Sequence, residues 1–140
     1  MYKYGQEEEI DKTWIDINTE EDLQKIFEFS GFVLVDFWAP WCSYSKEVTK
    51  AMNKFSKDNP DKEFKFGRIN TDETTDLAIK YGVMKIPYYF LNHSSRGYYG
   101  NLHSDDLYEL MEAFTNKKYH ITDDFFNYEK TCIKPRNSIS

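Results

Sequence analysis

The feature that most constrains the fold is an apolar stretch at residues 32–38, in which polar residues barely alternate with apolar ones. A strand with this pattern is covered on both faces, as in the middle of a sheet with helices on either side. Pro40 ends the strand, and from Ser43 to Asn59 apolar residues recur at helical spacing. We therefore predict a central strand that leads directly into a helix, with Cys42 at the junction.

Further strands and helices are predicted on both sides of this unit. The strands are expected at residues 14–17, 64–70, 88–91 and 97–100. The helices are expected after a cap at Thr19, around residues 77–81, from a cap at Ser104 to Phe114 and, as a short extra helix with Phe125, Tyr128 and Cys132 on one side, from Thr122 to Pro135. This order predicts an α/β protein with a central mixed sheet flanked by helices and a short C-terminal helical extension.

The length and composition are those of one domain. A chain of 140 residues can bury a sizeable core, and its 18% aromatic content indicates a core built around large rings. No low-complexity linker interrupts the pattern. We predict one domain over residues 1–115, with a short acidic lead-in, and an extension over residues 116–140 that docks on it.

The charge pattern narrows the possible partners. The formal net charge is −6, and no basic run interleaves with aromatic residues, which argues against nucleic acid. The longest apolar run, residues 32–35, is too short to span a membrane, and the amino terminus has no signal-peptide core. The latter favours the cytosol, although a trimmed leader would leave the secretory pathway open.

The cysteines and histidines do not form a metal-ligand pattern. Cys42 and Cys132 stand far apart, which excludes a disulfide framework and any CxxC zinc spacing, and the three histidines are scattered. We therefore expect neither a metal nor another cofactor.

Cys42 is the residue most suited to chemistry. Where a buried strand turns into a helix, unpaired backbone N–H groups and the positive end of the helix dipole lower the pKa of a thiol below its ordinary value of about 8.5. The alternative is a free cysteine that packs as a small apolar side chain.

The residues around Cys42 carry a family resemblance. The string from Val33 to Cys42, which ends in Trp38-Ala39-Pro40-Trp41-Cys42, resembles the active-site strand of thioredoxins and of the catalytic domains of protein disulfide isomerases. The likeness runs from about Trp14 to Phe114 and includes Asn70-Thr71-Asp72, Lys80-Tyr81-Gly82-Val83, Ile86-Pro87 and Gly100. It implies a thioredoxin fold with the cysteine at the carboxyl end of the central strand.

The resemblance also implies roles for individual residues. Cys42 matches the nucleophile that forms a mixed disulfide with a client, and Trp41 matches the indole that flanks it. Pro87 matches a cis-proline, and the preceding Ile86 offers backbone hydrogen bonds to an extended client segment. An apolar rim is expected to receive that segment, formed by Trp41, Met84, Ile86, Pro87 and Tyr88.

A buried carboxylate is expected beneath the nucleophile. Asp36 matches this position, and Arg68 falls where the family usually has a lysine, so we expect the guanidinium to hold Asp36 firmly ionised. Trp38 and Arg68 are predicted to support the site. The alternative interpretation of Asp36 and Arg68 is a structural buried ion pair.

The pattern fails at Ser45, which stands where a second cysteine would release the client. A hydroxyl is not a useful nucleophile toward sulfur, so full dithiol reductase turnover is not expected. Three explanations stay open: a natural monothiol protein, a serine substituted for a native cysteine as a trap, or release of the client by Cys132 from the tail. An unreactive packed cysteine is the favoured interpretation of Cys132.

These residues predict a thiol–disulfide exchange protein of the oxidoreductase or isomerase type. Its partners would be disulfide-containing proteins or peptides, with glutathione or a thioredoxin-reductase-type reductant as the external thiol. One alternative is a redox-inactive binding module that uses an aromatic groove or the Phe125-Phe126 tail. Another is glutathione-dependent exchange, because Ser43-Tyr44 is closer to glutaredoxin sites, although Lys85-Ile86 departs from their pattern.

Overall fold

The computed structural model describes residues 13–92, 96–117 and 129–133. Within these ranges, five strands form one sheet: β1 (Ile15–Asp16), β2 (Phe32–Trp38), β3 (Phe64–Asn70), β4 (Tyr88–Leu91) and β5 (Tyr98–Tyr99). The same ranges contain four helices: α1 (Glu20–Ile26), α2 (Ser43–Asp58), α3 (Thr75–Lys80) and α4 (Ser104–Thr115).

The sheet is mixed, with the strand order β1-β3-β2-β4-β5. β2 lies at its centre, parallel to β3 and antiparallel to β4. β1 runs parallel to β3, and β5 pairs with β4 in an antiparallel hairpin. The predicted mixed sheet with a central strand at residues 32–38 is therefore confirmed.

Side chains of β2 enter two separate apolar clusters, which explains why the strand shows no alternation. Phe32 and Leu34 pack in one cluster, whereas Val33, Val35 and Phe37 pack in the other. The first cluster contains residues of α2 and α4, and the second contains residues of α1 and α3. Helices thus cover both faces of the sheet and bury the central strand from both sides.

The two predicted helix caps have different outcomes. Thr19 caps α1, since its hydroxyl accepts a hydrogen bond from the backbone N–H of Asp22 at 3.1 Å. Ser104 is not a cap but the first residue of α4, and the cap position belongs to His103. The His103 backbone N–H donates to the Asp106 carboxylate at 2.9 Å, so the acidic first turn supplies the capping interaction.

The predicted extra helix does not include Cys132. Cys132 forms an isolated antiparallel bridge with Ile86, so its backbone is extended. Residues 118–128 and 134–140, which hold most of the predicted helix, lie outside the described residues. The helical spacing that motivated the prediction is overridden at Cys132 by pairing with a residue distant in sequence.

Tyr89 ties the centre of the sheet to the turn before α4. Its ring is buried in β4, and its hydroxyl donates a hydrogen bond to the Gly100 carbonyl at 2.6 Å. We predict that Tyr89→Phe lowers the free energy of unfolding by about 1–2 kcal/mol, because a buried acceptor loses its donor. Urea unfolding measures this. Tyr44→Phe is the control, since the Tyr44 hydroxyl bonds no other described residue, and an equal loss in both variants would contradict the prediction.

Candidate functional site

Cys42 occupies the junction between β2 and α2. It is the N-cap residue of α2, its side chain is fully buried, and its backbone is extended. The Cys42 N–H donates to the Ala39 carbonyl at 3.2 Å, and its own carbonyl accepts from the Lys46 N–H at 3.3 Å. The first turn of α2 holds no acidic residue, so no carboxylate there opposes the positive end of the helix dipole.

Cys42 is joined to Cys132 by a disulfide bond, with the two Cα atoms 5.9 Å apart. The favoured interpretation of Cys132 as an unreactive packed cysteine is therefore wrong. The prediction failed because residue 132 is extended, so that its sulfur lies beside the end of β2 rather than on a helix face. Local sequence pattern carries no signal for a pairing across this separation.

Both backbone groups of Cys132 form hydrogen bonds with Ile86, the residue that precedes Pro87. The Ile86 N–H donates to the Cys132 carbonyl at 3.0 Å, and the Cys132 N–H donates to the Ile86 carbonyl at 2.7 Å. The Ile86-Pro87 peptide bond is cis. The Cys42 Sγ atom lies 3.8 Å from the Ile86 carbonyl oxygen, so the disulfide sits against this bridge.

An apolar groove of about 470 Å³ adjoins the disulfide. Trp41 and Met84 are exposed on it, with 42% and 76% of their surfaces accessible, while the buried Ile86 and the half-buried Cys132 also line it. The Trp41 indole N–H donates to the Asp72 carboxylate at 3.2 Å. Three of the five predicted rim residues thus line one surface.

Pro87 and Tyr88, the other two predicted rim residues, do not line this groove. Pro87 is buried, and the Tyr88 ring packs against Phe37 and Tyr99 at centroid distances of 5.8 and 4.4 Å. Ile79, an exposed residue of α3, also lines the groove and was not among the predicted rim residues. The available signal in the sequence was an isoleucine outside the apolar face formed by Leu77, Ala78 and Tyr81.

Asp36 and Arg68 form a fully buried ion pair. The Arg68 Nε and Nη2 atoms lie 2.8 and 2.7 Å from the same Asp36 carboxylate oxygen. Burial raises the pKa of Asp36 to about 6, although the Arg68 guanidinium acts in the opposite direction. Arg68 thus favours the ionised form of Asp36, as expected, but burial outweighs this effect and leaves the pKa above its ordinary value.

Arg68 also connects this pair to the helix that follows Cys42. Its guanidinium donates to the Ser45 carbonyl at 3.1 Å and to the Thr49 hydroxyl. The rings of Trp14 and Trp38 lie 5.0 and 4.5 Å from the guanidinium carbon, so aromatic faces cover the charge. Trp38 thus contacts Arg68.

Ser45 is buried in the first turn of α2, and its hydroxyl has no hydrogen-bond partner among the described residues. Of the two residues at this end of the sheet that could act on a mixed disulfide, Ser45 offers an oxygen and Cys132 offers a sulfur. Of these two residues, only Cys132 can form a disulfide with Cys42, and in this structure it does so.

The sequence model of the family described as Thioredoxin matches residues 14–113. The chain belongs to the thioredoxin family. The matched region of this thioredoxin-family chain contains Cys42, Asp36, Arg68 and Ile86, and it ends before Cys132. The second half of the disulfide is therefore supplied by sequence outside the family region.

Similar proteins include several thioredoxins. Thioredoxin from Bacillus subtilis is 44% identical over 57 residues, which are 41% of this chain and 54% of that protein. Chloroplastic thioredoxin M4 from Arabidopsis thaliana is 38% identical over 71 residues, which are 51% of this chain and 36% of that protein. Thus the chain spans about half or less of the length of these relatives.

A solved structure supports the same fold. The crystal structure of chloroplastic thioredoxin z superposes with a TM-score of 0.65 and 17% sequence identity, over 74% of this chain and 96% of that one. At this identity the similarity concerns the fold alone.

The described residues contain neither a metal-binding cluster nor a membrane-spanning helix. No group of three or more His, Cys, Asp and Glu side chains among them is placed to hold a metal ion. No helix within the described ranges is long and apolar enough to cross a membrane.

The pKa of Asp36 predicts a pH dependence of stability. The folded protein holds this proton up to about pH 6, whereas the unfolded chain releases it near 3.8, so the contribution of Asp36 to stability falls as pH rises between these values. Relative to Asp36→Asn, the wild type should lose on the order of 2–3 kcal/mol of unfolding free energy from pH 4 to pH 7. Urea unfolding of both oxidised proteins across this range measures it, and parallel curves would contradict it.

The unpartnered hydroxyl of Ser45 predicts a gain from its removal. We expect Ser45→Ala to raise the free energy of unfolding by about 1 kcal/mol, because a buried polar group without a hydrogen bond is costly. Ser43→Ala makes the same change at an exposed position of the same helical turn and controls for helix propensity. Denaturant unfolding in one redox state compares them, and a Ser45→Ala gain no larger than that of Ser43→Ala would refute the account.

Proposed function

We propose that this chain is a thiol–disulfide oxidoreductase whose attacking group is the sulfur of Cys42 and whose clients are disulfide-containing proteins or peptides. One observation supports this most. The sulfur that pairs with Cys42 belongs to a residue held in extended conformation by both backbone groups of Ile86. A client cysteine bound in an extended segment would use the same two hydrogen bonds and the same sulfur.

The position of Cys42 supports its role as the nucleophile. A thiolate at the N-terminus of a long helix faces the positive end of the dipole, and α2 has 16 residues with no acidic side chain in its first turn. In the proposed reaction the Cys42 thiolate attacks one sulfur of the client disulfide. A new S–S bond forms, the client S–S bond breaks, and the departing client thiolate takes a proton from water.

The groove beside the disulfide supports a preference for apolar client residues. Trp41, Ile79 and Met84 are exposed there, and such side chains gain by being covered when a client segment binds. We therefore propose clients with apolar residues next to the reactive cysteine. An external thiol such as glutathione, or a thioredoxin-reductase-type enzyme, would return the protein to its reduced form.

The alternative of a redox-inactive binding module is the less supported function. It was motivated by the missing thiol at Ser45 together with Phe125-Phe126. The latter lie outside the described residues, whereas Cys42 takes part in a disulfide.

The reactivity of the two cysteines tests the proposal. Reduced Cys132→Ser, which leaves Cys42 free, should be alkylated by iodoacetamide at least ten-fold faster at pH 7 than reduced Cys42→Ser, because the helix dipole favours the Cys42 thiolate. Cys132→Ser should also form a mixed disulfide with an oxidised peptide, detected as a mass increase after acid quenching.

The matched Cys42→Ser variant controls for reaction at any exposed thiol. Equal alkylation rates in the two variants, or no peptide adduct on Cys42, would contradict the proposed nucleophile.

A further inference from the structure

We infer that Cys132 is the resolving thiol of this site, a further catalytic residue that releases the client from Cys42. This inference rests on the proposed function, because it concerns the second step of the same exchange reaction. It assigns to a residue outside the family region the step that Ser45 cannot perform.

The sulfur of Cys132 can reach the sulfur of Cys42. The two cysteines already form a disulfide in this structure, with Cα atoms 5.9 Å apart, a separation that is ordinary for a disulfide. Resolution of a mixed disulfide needs the second thiol to reach the sulfur of the first. The position of Cys132 is the end point of that reaction.

Backbone hydrogen bonds and apolar packing hold Cys132 in place in addition to the disulfide. Its N–H and carbonyl both bond to Ile86, at 2.7 and 3.0 Å, and its side chain is half-buried against the second apolar cluster. These bonds stabilise the oxidised end state, and while a client occupies Ile86 the Cys132 thiol stays on the same chain, so its effective concentration exceeds that of a thiol in solution.

Cys132 and an extended client segment compete for Ile86. The single N–H of Ile86 is taken when Cys132 is bound, and the Cys132 N–H also binds its carbonyl. A client backbone at Ile86 and Cys132 at Ile86 therefore exclude each other. When Cys132 binds, it replaces the client both in the hydrogen bonds to Ile86 and in the disulfide with Cys42. Disulfide exchange and client release therefore occur together.

Resolution converts the mixed disulfide between Cys42 and the client into the Cys42–Cys132 disulfide. The Cys132 thiol loses its proton to water, and its thiolate attacks the Cys42 sulfur of the mixed disulfide. The Cys42–Cys132 bond forms, the bond between Cys42 and the client breaks, and the client thiolate takes up a proton. Over both steps the client disulfide is reduced by two electrons to two thiols, and the two protein thiols are oxidised to one disulfide.

The geometry also points to the sulfur that an external reductant attacks. Cys42 is fully buried in the oxidised form, whereas Cys132 is half-buried. Attack of a thiol on Cys132 releases Cys42 as a thiolate at the helix N-terminus, which is a favourable leaving group. A dithiol such as dithiothreitol then displaces Cys132 with its second thiol and leaves as a cyclic disulfide.

Single-turnover experiments on the full chain test the inference. Reduced wild type, Cys132→Ser and Ile133→Ala are freed of reductant, mixed with an excess of a peptide dimer in which one disulfide joins two single-cysteine peptides, quenched in acid and analysed by mass spectrometry. Ile133→Ala alters the exposed neighbour in the same segment and keeps the cysteine. Ser45→Cys in the Cys132→Ser background provides a second thiol inside the family motif and shows that the background folds and reacts.

The expected results differ in stoichiometry and in lifetime. Wild type and Ile133→Ala should release two peptide thiols per protein and end as the internal Cys42–Cys132 disulfide. Cys132→Ser should release one peptide thiol and keep the peptide on Cys42 at least ten-fold longer. The Ser45→Cys double variant should again release two.

Two other outcomes would overturn the inference in distinguishable ways. If wild type and Cys132→Ser hold the peptide adduct equally long, Cys42 is the nucleophile but Cys132 does not resolve, and the proposed function stands. If Cys132→Ser forms no adduct while its Ser45→Cys derivative does, Cys42 alone does not attack clients, and the proposed function fails as well.

Discussion

A buried guanidinium group organises the corner of the sheet on which the candidate site is built. Arg68 extends from β3 to Asp36 in β2 and to the Ser45 carbonyl in α2, so one side chain joins three elements around Cys42. Burying such a charge costs several kcal/mol unless it is paired and hydrogen-bonded. Here a carboxylate, a carbonyl, a hydroxyl and two indole faces supply that compensation. The position of α2 relative to the central strand follows from this arrangement.

The sequence predicts the parts of the fold that depend on local pattern. The unbroken apolar run of β2 identified the central strand because both of its faces are covered, and the Thr19 cap is set by neighbours only three residues away. The effect of Arg68 on Asp36 was predicted, but the net rise in the pKa of Asp36 was not, since it depends on how completely the fold excludes water from the pair. Pairing of Cys132 with Ile86 was also beyond local pattern, because periodicity describes one segment and not the segment on which it docks.

The candidate site replaces a local arrangement of two thiols with a long-range one. In a motif with cysteines three positions apart, one helical turn fixes their proximity. In this chain the turn holds Cys42 and Ser45. The second sulfur belongs to Cys132, whose backbone pairs with Ile86, the residue before Pro87. Proximity then depends on tertiary contacts that a client segment can displace, whereas the spacing within a helical turn cannot change in this way.

The disulfide has a further consequence for the topology of the polypeptide. It closes a covalent ring over residues 42–132, which contains β3, β4, β5 and the helices α2 to α4. The segment with β1, α1 and β2 lies outside this ring in the sequence. Reduction turns that ring into a linear chain. In the chain-entropy account, opening a loop of about this size enlarges the unfolded ensemble by the equivalent of about 4–5 kcal/mol. The redox state of one bond thereby acts on the whole molecule through the disorder available to its unfolded form.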